Sequence, residues 1–284
     1  MAEDAIAQIP RATPPTLVIR PPRKWMPVDF REIWEYRELL YFFIWRDVKV
    51  RYKQTALGFL WALIQPLLMV LIFSFFFGRL ARIPSGGLPY SLFALAALLP
   101  WILFSEGLTR TTNSMVSNAN IMTKVYYPRL IMPLAGILSP LIDFAVAFIL
   151  LIGMMIHFQV MPLPTIALLP LFIALGLLSS FGIGLWLSAL NVMYRDFQYV
   201  VPFLIQVGLF ASPIVYPSYL VPEDLRLFYW LNPMSGVIEG SRWALFGTPL
   251  PLELLLLSCG VVIVLITTGL LYFRRMEQYF ADVV

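Results

Sequence analysis

The sequence predicts an all-α integral membrane protein. It has six transmembrane helices, an N-terminal cytoplasmic amphipathic interface helix, a re-entrant outer helical hairpin between helices 5 and 6, and both termini cytoplasmic. Three observations predict this. Of 284 residues, 60% are hydrophobic and 13% charged, against roughly 45–50% and about 25% in soluble domains. Six apolar blocks approach the ~20 residues a helix needs to cross about 30 Å of hydrocarbon. Sixteen of the 20 Lys and Arg residues fall on one side of the resulting topology, and an excess of basic residues marks the cytoplasmic side. A soluble enzyme is excluded, because a fold of this length cannot hide so much apolar surface behind so few charges.

In chain order, residues 1–30 hold Pro10, Pro14, Pro15, Pro21, Pro22 and Pro27 and read as a disordered cytoplasmic extension. This stretch has no apolar core of the kind a removable signal peptide needs. Residues 31–56 form the interface helix. At 100° per residue Arg31, Glu35, Glu38, Arg46, Lys49 and Lys53 share one stripe, with Ile33, Leu40, Ile44 and Val48 opposite and Tyr36 and Phe43 beside them. Such a helix lies in the headgroup plane, apolar face down. Its cationic end, Arg46, Lys49, Arg51 and Lys53, suits anionic headgroups or a phosphate-bearing substrate, although from spacing alone a plain membrane anchor is the favoured reading.

The six-span domain covers 57–275, with spans at about 58–78, 88–105, 130–156, 165–190, 197–217 and 252–273, and 276–284 forms a cytoplasmic tail. Pro66, Pro100, Pro140, Pro170 and Pro202 fall inside these blocks and are expected to kink helices that neighbours support. Asp143 is the one acid near the middle of a span. An intramembrane acid is a functional-site candidate by default, but a structural role is the favoured reading: protonated, or hydrogen-bonded across helices to a serine or a backbone carbonyl. His157 and Cys259 read as bystanders. The loop from Arg110 to Arg129 is rich in Thr, Asn and Ser and can form a short polar helix, with Ile121 and Met122 as apolar contacts. Residues 223–247 carry five charges yet are aromatic, so they are too polar to span and are broken at Asn232-Pro233. They are a candidate gate, and an interfacial aromatic belt explains their Trp and Tyr residues as well.

The chemistry that is missing narrows the function. A single cysteine rules out an internal disulfide framework, and one histidine rules out a His-rich metal site. A net charge of +4 makes a broadly basic nucleic-acid binder a poor fit. No G-x-x-x-x-G-K-[ST], H-E-x-x-H or G-x-S-x-G motif occurs. Composition and spacing stop there.

The ordered segments go further. Arg46-Asp47-Val48-Lys49-Val50-Arg51-Tyr52-Lys53-Gln54-Thr55, then Leu57-Gly58, Trp61 and Pro66, resemble the entry to a type-2 ABC-transporter permease of the polysaccharide-exporting branch. That branch comprises the O-antigen, capsule and teichoic-acid exporters. Residues 118–129 are similar to its first cytoplasmic coupling segment, and residues 212–217 with Leu231-Asn232-Pro233 to its gate region. The resemblance covers about residues 31–275. It implies a transport subunit, not an enzyme, in a bacterial inner membrane. Two copies would form a homodimer bound to two ABC ATPase subunits, which hold the ATP and Mg, so that this chain needs no cofactor. The substrate would be a polysaccharide on a polyprenyl-pyrophosphate or other lipid carrier.

On this reading Ser114, Asn118, Ile121, Met122 and Lys124 are expected to couple to the ATPase, and the charge of Arg46, Lys49, Arg51 and Lys53, where the interface helix meets the first span, suits them to take the substrate's headgroup. Tyr216, Tyr229 and Trp230 would form the exit gate, their rings stacking on sugar faces. The rivals are a permease of the same fold exporting a drug or small lipid, a purely structural scaffold, and a membrane-embedded polyprenyl-sugar glycosyltransferase. The last has only Asp29, Glu32, Glu35 and Glu106 as loose catalytic candidates.

Overall fold

The computed structural model describes residues 30–53, 57–122 and 124–280. The extension expected over 1–30 lies outside them except for Phe30, as do Asp29 and the last four residues of the tail. All regular structure among the described residues is helical. In chain order come α1 (Phe30–Glu35), α2 (Arg37–Tyr52), α3 (Trp61–Phe73), α4 (Tyr90–Ser117), α5 (Ala119–Met122) and α6 (Ile131–Leu138). There follow α7 (Pro140–His157), α8 (Leu169–Met193), α9 (Phe197–Ala211), α10 (Glu223–Trp230), α11 (Pro233–Phe246) and α12 (Leu252–Met276). Among the described residues five helical segments are long and apolar enough to cross a membrane: Gly58–Leu80, Tyr90–Ser117, Ile131–His157, Pro164–Met193 and Leu252–Tyr279. Phe197–Ala211 is a shorter apolar helix.

The bundle is built around α4. Its most apolar stretch is 78% buried, against 17% for Gly58–Leu80 and 22% for Leu252–Tyr279. Helices α3, α6, α7, α8, α9 and α11 all pack on it, so α4 is the axis and α3 and α12 are outer staves. Close approach depends on small residues, because apolar burial drives nothing between helices already in lipid and contact must come from packing. Gly136 backs onto the Arg110–Thr111 backbone, and a side chain on Gly269 would start 2.4 Å from the Gly182 carbonyl oxygen.

The second span runs about three turns past its expected end at residue 105. Glu106 and Arg110 stop an apolar count, but the helix continues, and its polar side chains bond to their own preceding turns. The Thr109, Asn113 and Ser114 side chains donate to the carbonyls of Ser105, Thr109 and Thr111. The third span is divided where Pro140, lacking an N–H, begins α7. Pro170 also sits at a helix start, whereas Pro66, Pro100 and Pro202 lie within helices as expected. The helix of the expected fifth span stops at Ala211: Ser212 is extended (φ −108°, ψ 156°), as the residue before a proline prefers. The buried segment Ser212–Val215 then continues without helix.

The interface segment differs from expectation in what its apolar face meets. Tyr36 divides it. Phe43 is buried against Tyr127 and α6, with Ile33, Tyr36, Leu39, Leu40 and Ile44 around it. The apolar face is therefore spent on protein, and the outward face carries Trp34, Tyr41, Phe42 and Trp45 beside the charges.

Replacing Gly269 by Val drives a side chain into the Gly182 backbone, which cannot move aside as a rotamer can. The expected loss is about 1–3 kcal/mol, read as a lower thermal unfolding midpoint of the detergent-solubilised protein. An unchanged midpoint would show that α8 and α12 are not packed as described.

Candidate functional site

The candidate site residues fall into three groups along the bundle. The first lies where α2 ends. Arg51 forms an ion pair with Asp143, in the first turn of α7, and a second with Glu106 of α4, Nη2 to Oε2 at 2.9 Å. Arg110 completes the chain, its Nε 3.3 Å from the same Glu106 oxygen. The Tyr52 hydroxyl donates to Asp143, and its ring stacks on Phe59 at 4.0 Å between centroids. Among the described residues Asp143 is held not by a serine or a backbone carbonyl but by an arginine and a tyrosine 91 residues or more away in sequence. Of the four cations expected to take a headgroup, Arg51 is bound by two carboxylates and Arg46 by Asp47, at 2.9 Å. Arg46 also lies over the Phe43 ring, 4.9 Å from its centroid. Lys49 and Lys53 are exposed.

The second group is the connection from α4 to α6, at the same end of the bundle. Ser114 faces inward, 5% exposed, and its hydroxyl is taken by its own helix. Asn118 is half-buried and donates to the Ser114 carbonyl. Ile121 and Met122 lean on the apolar cluster around Phe43 and Tyr127. What faces outward is Val116, Ser117, Asn120, Lys124, Val125 and Tyr126. Burial pushes the Tyr127 hydroxyl above its ordinary range, against a lowering pull from Arg129 and Arg46.

The sequence reading missed how this connection is fastened. Arg129 donates to the Glu277 carbonyl and lies over the Phe280 ring. Phe280 is fully buried, edge-on to Phe273. Its only sequence signal is an aromatic residue past the end of an apolar block, which resembles any tail.

The third group is at the opposite end. The two hairpin helices differ: twelve of the fourteen residues of α11 are buried and none of α10 is. Asn232 starts α11 as its cap, accepting from the Met234 N–H at 3.0 Å, and its amide donates to the Ser212 hydroxyl at 2.8 Å. Pro233 follows where a helix tolerates proline best, and Gly247 ends the helix in the left-handed region (φ 69°).

Inside α11, Arg242 is fully buried against Glu239, Nη1 to Oε1 at 3.4 Å. Its other nitrogens donate to the Phe93 carbonyl at 3.3 Å and the Ile214 carbonyl at 2.9 Å. The guanidinium sits 3.5 Å from the Phe93 ring centroid, while Glu239 accepts from the Ser218 N–H at 3.1 Å. One arginine therefore ties α11, the start of α4 and the segment after α9 together. These two charges had counted as evidence of polarity in the hairpin; buried, they cancel. Their i,i+3 spacing on one helix was the available signal.

Beside this knot Tyr216 and Tyr229 are brought together, centroids 6.3 Å apart. Trp230, the next residue along α10, is half-buried. Burial raises the Tyr229 hydroxyl's pKa, so the ring is an uncharged phenol at neutral pH. No group of three or more His, Cys, Asp or Glu able to hold a metal occurs among the described residues.

Arg242→Ala leaves Glu239 as an uncompensated buried charge, which costs about 3–5 kcal/mol. The double variant Glu239→Gln/Arg242→Met removes both charges and should lose less. Monodisperse yield and unfolding midpoint measure both. Equal losses in the two variants would mean that the charge pairing is not what holds the hairpin.

Comparison with known proteins identifies relatives. The sequence profile of the family described as ABC-2 type transporter matches residues 38–246. The chain is 29% identical over 240 residues to the O-antigen export system permease protein RfbA of Klebsiella pneumoniae, spanning 84% of this chain and 92% of that protein. It is 29% identical over 255 residues to the protein of the same name from Myxococcus xanthus, 89% and 97% of the two chains. Over 204 residues it is 26% identical to the polysialic acid transport protein KpsM of Escherichia coli, 70% and 78% of the two.

Proposed function

The chain belongs to the ABC-2 type transporter family, as its ordered motifs implied, and on that premise we propose that it is the permease of an ATP-driven exporter of lipid-linked polysaccharide. It is a multi-pass membrane protein and a transport component. An ABC permease works with an ATPase partner, and this sequence contains no P-loop of its own. The observation that carries the substrate class is similarity along almost the whole length of two O-antigen export permeases, with a polysialic acid transporter related over most of its length. The glycosyltransferase alternative loses its best-placed acid, since Glu106 is committed to Arg51 and Arg110.

In this reading the chain crosses a bacterial inner membrane six times, with both termini cytoplasmic. The fifth crossing is α9 plus the buried Ser212–Val215 segment, since fifteen residues of α-helix span only about 22 Å. The end carrying α2 and α5 is cytoplasmic, and the hairpin α10–α11 enters the outer leaflet and returns, with α11 covered by protein and α10 on the outside. Two copies pair and bind two ATPase subunits. The outward residues around α5, with Asn118 and Lys124, meet the ATPase. Ile121 and Met122 carry its push into the cluster below, which Ser114 helps to pack.

Lys49 and Lys53, the exposed members of the cationic group, draw in the pyrophosphate of the carrier, because a dense anion is shared well by several cations. Tyr216, Tyr229 and Trp230 edge the exit, where neutral aromatic rings stack on sugar faces and release them.

The test is purification of the chain with its ATPase, followed by ATP hydrolysis and export assays. Lipid-linked polysaccharide should stimulate hydrolysis severalfold, Lys49→Gln/Lys53→Gln should lower export severalfold, and Tyr229→Ala/Trp230→Ala should make export leaky or abolish it in a well-folded complex. Failure to bind an ATPase, or stimulation by a drug or small lipid and not by the glycan, contradicts the assignment. Normal export from either double variant removes the corresponding site.

A further inference from the structure

We infer that the Arg51–Asp143 ion pair, shared with Glu106 and closed by Tyr52, is a strut joining the interface helix rigidly to α4 and α7. Arg51 is thereby a positioning residue, not a ligand for the substrate's headgroup. The inference rests on the transporter reading and concerns how force enters the bundle.

Three observations carry it. First, charge is balanced inside the cluster: Arg51 and Arg110 face Glu106 and Asp143, with Asp47 and Ser139 closing a narrow cleft around them. A guanidinium already held by two carboxylates has little left to offer a phosphate. Second, the pair is drawn into the protein, with the Arg51 and Asp143 side chains 28% and 17% exposed. A charge pair there interacts more strongly than in water and is less screened by salt. Third, the partners come from three elements. Arg51 and Tyr52 end α2, Glu106 lies on α4, and Asp143 lies in the first turn of α7.

Elsewhere α2 meets the bundle through apolar side chains, chiefly Phe43 and Val48. Apolar contact is non-directional and would let the helix slide along α6. Ion pairs with fixed geometry set its register, and the stack of Tyr52 on Phe59 carries the same constraint to the start of the next helix. A displacement of α2 is thereby delivered to α4, the axis of the bundle, and to α7 together.

The test uses the full chain in complex with its ATPase, in vesicles. Arg51→Asp and Asp143→Arg alone should each reduce export at least tenfold while ATPase binding persists and hydrolysis stays within twofold. The charge-swapped double variant should regain at least a third of wild-type export. A headgroup role for Arg51 predicts no rescue by the swap, and that result overturns the strut. If a single variant fails to assemble, a second measurement decides in a charge-intact protein. Val48→Cys and Ser139→Cys, which line the same cleft, are introduced on a Cys259→Ser background and oxidised. A strut predicts that the locked form exports within twofold of the reduced form; export lost on locking and restored by reductant means that α2 and α7 must separate, which overturns it. If the unmodified complex neither binds an ATPase nor exports, the transporter reading fails instead.

Discussion

A charge withdrawn from water has to bring its partner with it, and in this bundle that requirement fastens the peripheral elements to a single axis. Desolvating an isolated guanidinium or carboxylate costs far more than a folded chain has to spare, so a buried charge dictates which helices must meet, fully for Arg242 and in part for the half-buried Arg51. At one end Arg51 of α2 reaches Glu106 of α4 and Asp143 of α7. At the other, Arg242 of α11 reaches the Phe93 carbonyl of α4 and the Ile214 carbonyl after α9. Apolar packing fills the space between but is permissive about register. The two arginine knots are not, and α4 is the element they share.

In the proposed reading this arrangement separates coupling from gating by the stretch of α4 between Phe93 and Glu106, about 20 Å. The knot at the α2 end lies beside the α4–α6 connection, whose base is held by Arg129 and by Phe280 of the C-terminal segment. Motion received there has stiff routes into α4 and α12. The knot at the hairpin end holds α11 still, and leaves α10 exposed with Tyr229 against Tyr216. A hairpin with one anchored and one loosely covered helix suits a gate, because only the second has to move for a passage to open.

Much of this was legible in the sequence and some of it was not, for reasons that differ by residue. The apolar blocks announced the long helices because hydrocarbon thickness sets a minimum length that side chains cannot evade. The break at Asn232-Pro233 was readable because a cap and a proline act locally. The length of α4 was not, since Glu106 looks like the end of a span until Arg51, 55 residues away, neutralises it. Asp143 was visible as an anomaly, but its partner was hidden for the same reason. The burial of Ser114 was not legible in its polar loop, because a hydroxyl that bonds to its own helix reads no differently from one that faces water. The packing of α2 on α6 was missed because an amphipathic pattern says that a face is covered without saying by what. Side-chain periodicity is local information; pairing across the bundle is not.

If the chain moves a glycan, the movement is measurable directly. The chain and its ATPase are reconstituted in vesicles with the ATPase outside, together with lipid-linked polysaccharide labelled on its sugar, and a glycosidase is added to the outer solution. ATP is expected to protect the label progressively from digestion, and protection to require both subunits. Full digestion in the presence of rapid ATP hydrolysis, with a small lipid or drug sequestered in its place, would contradict glycan movement.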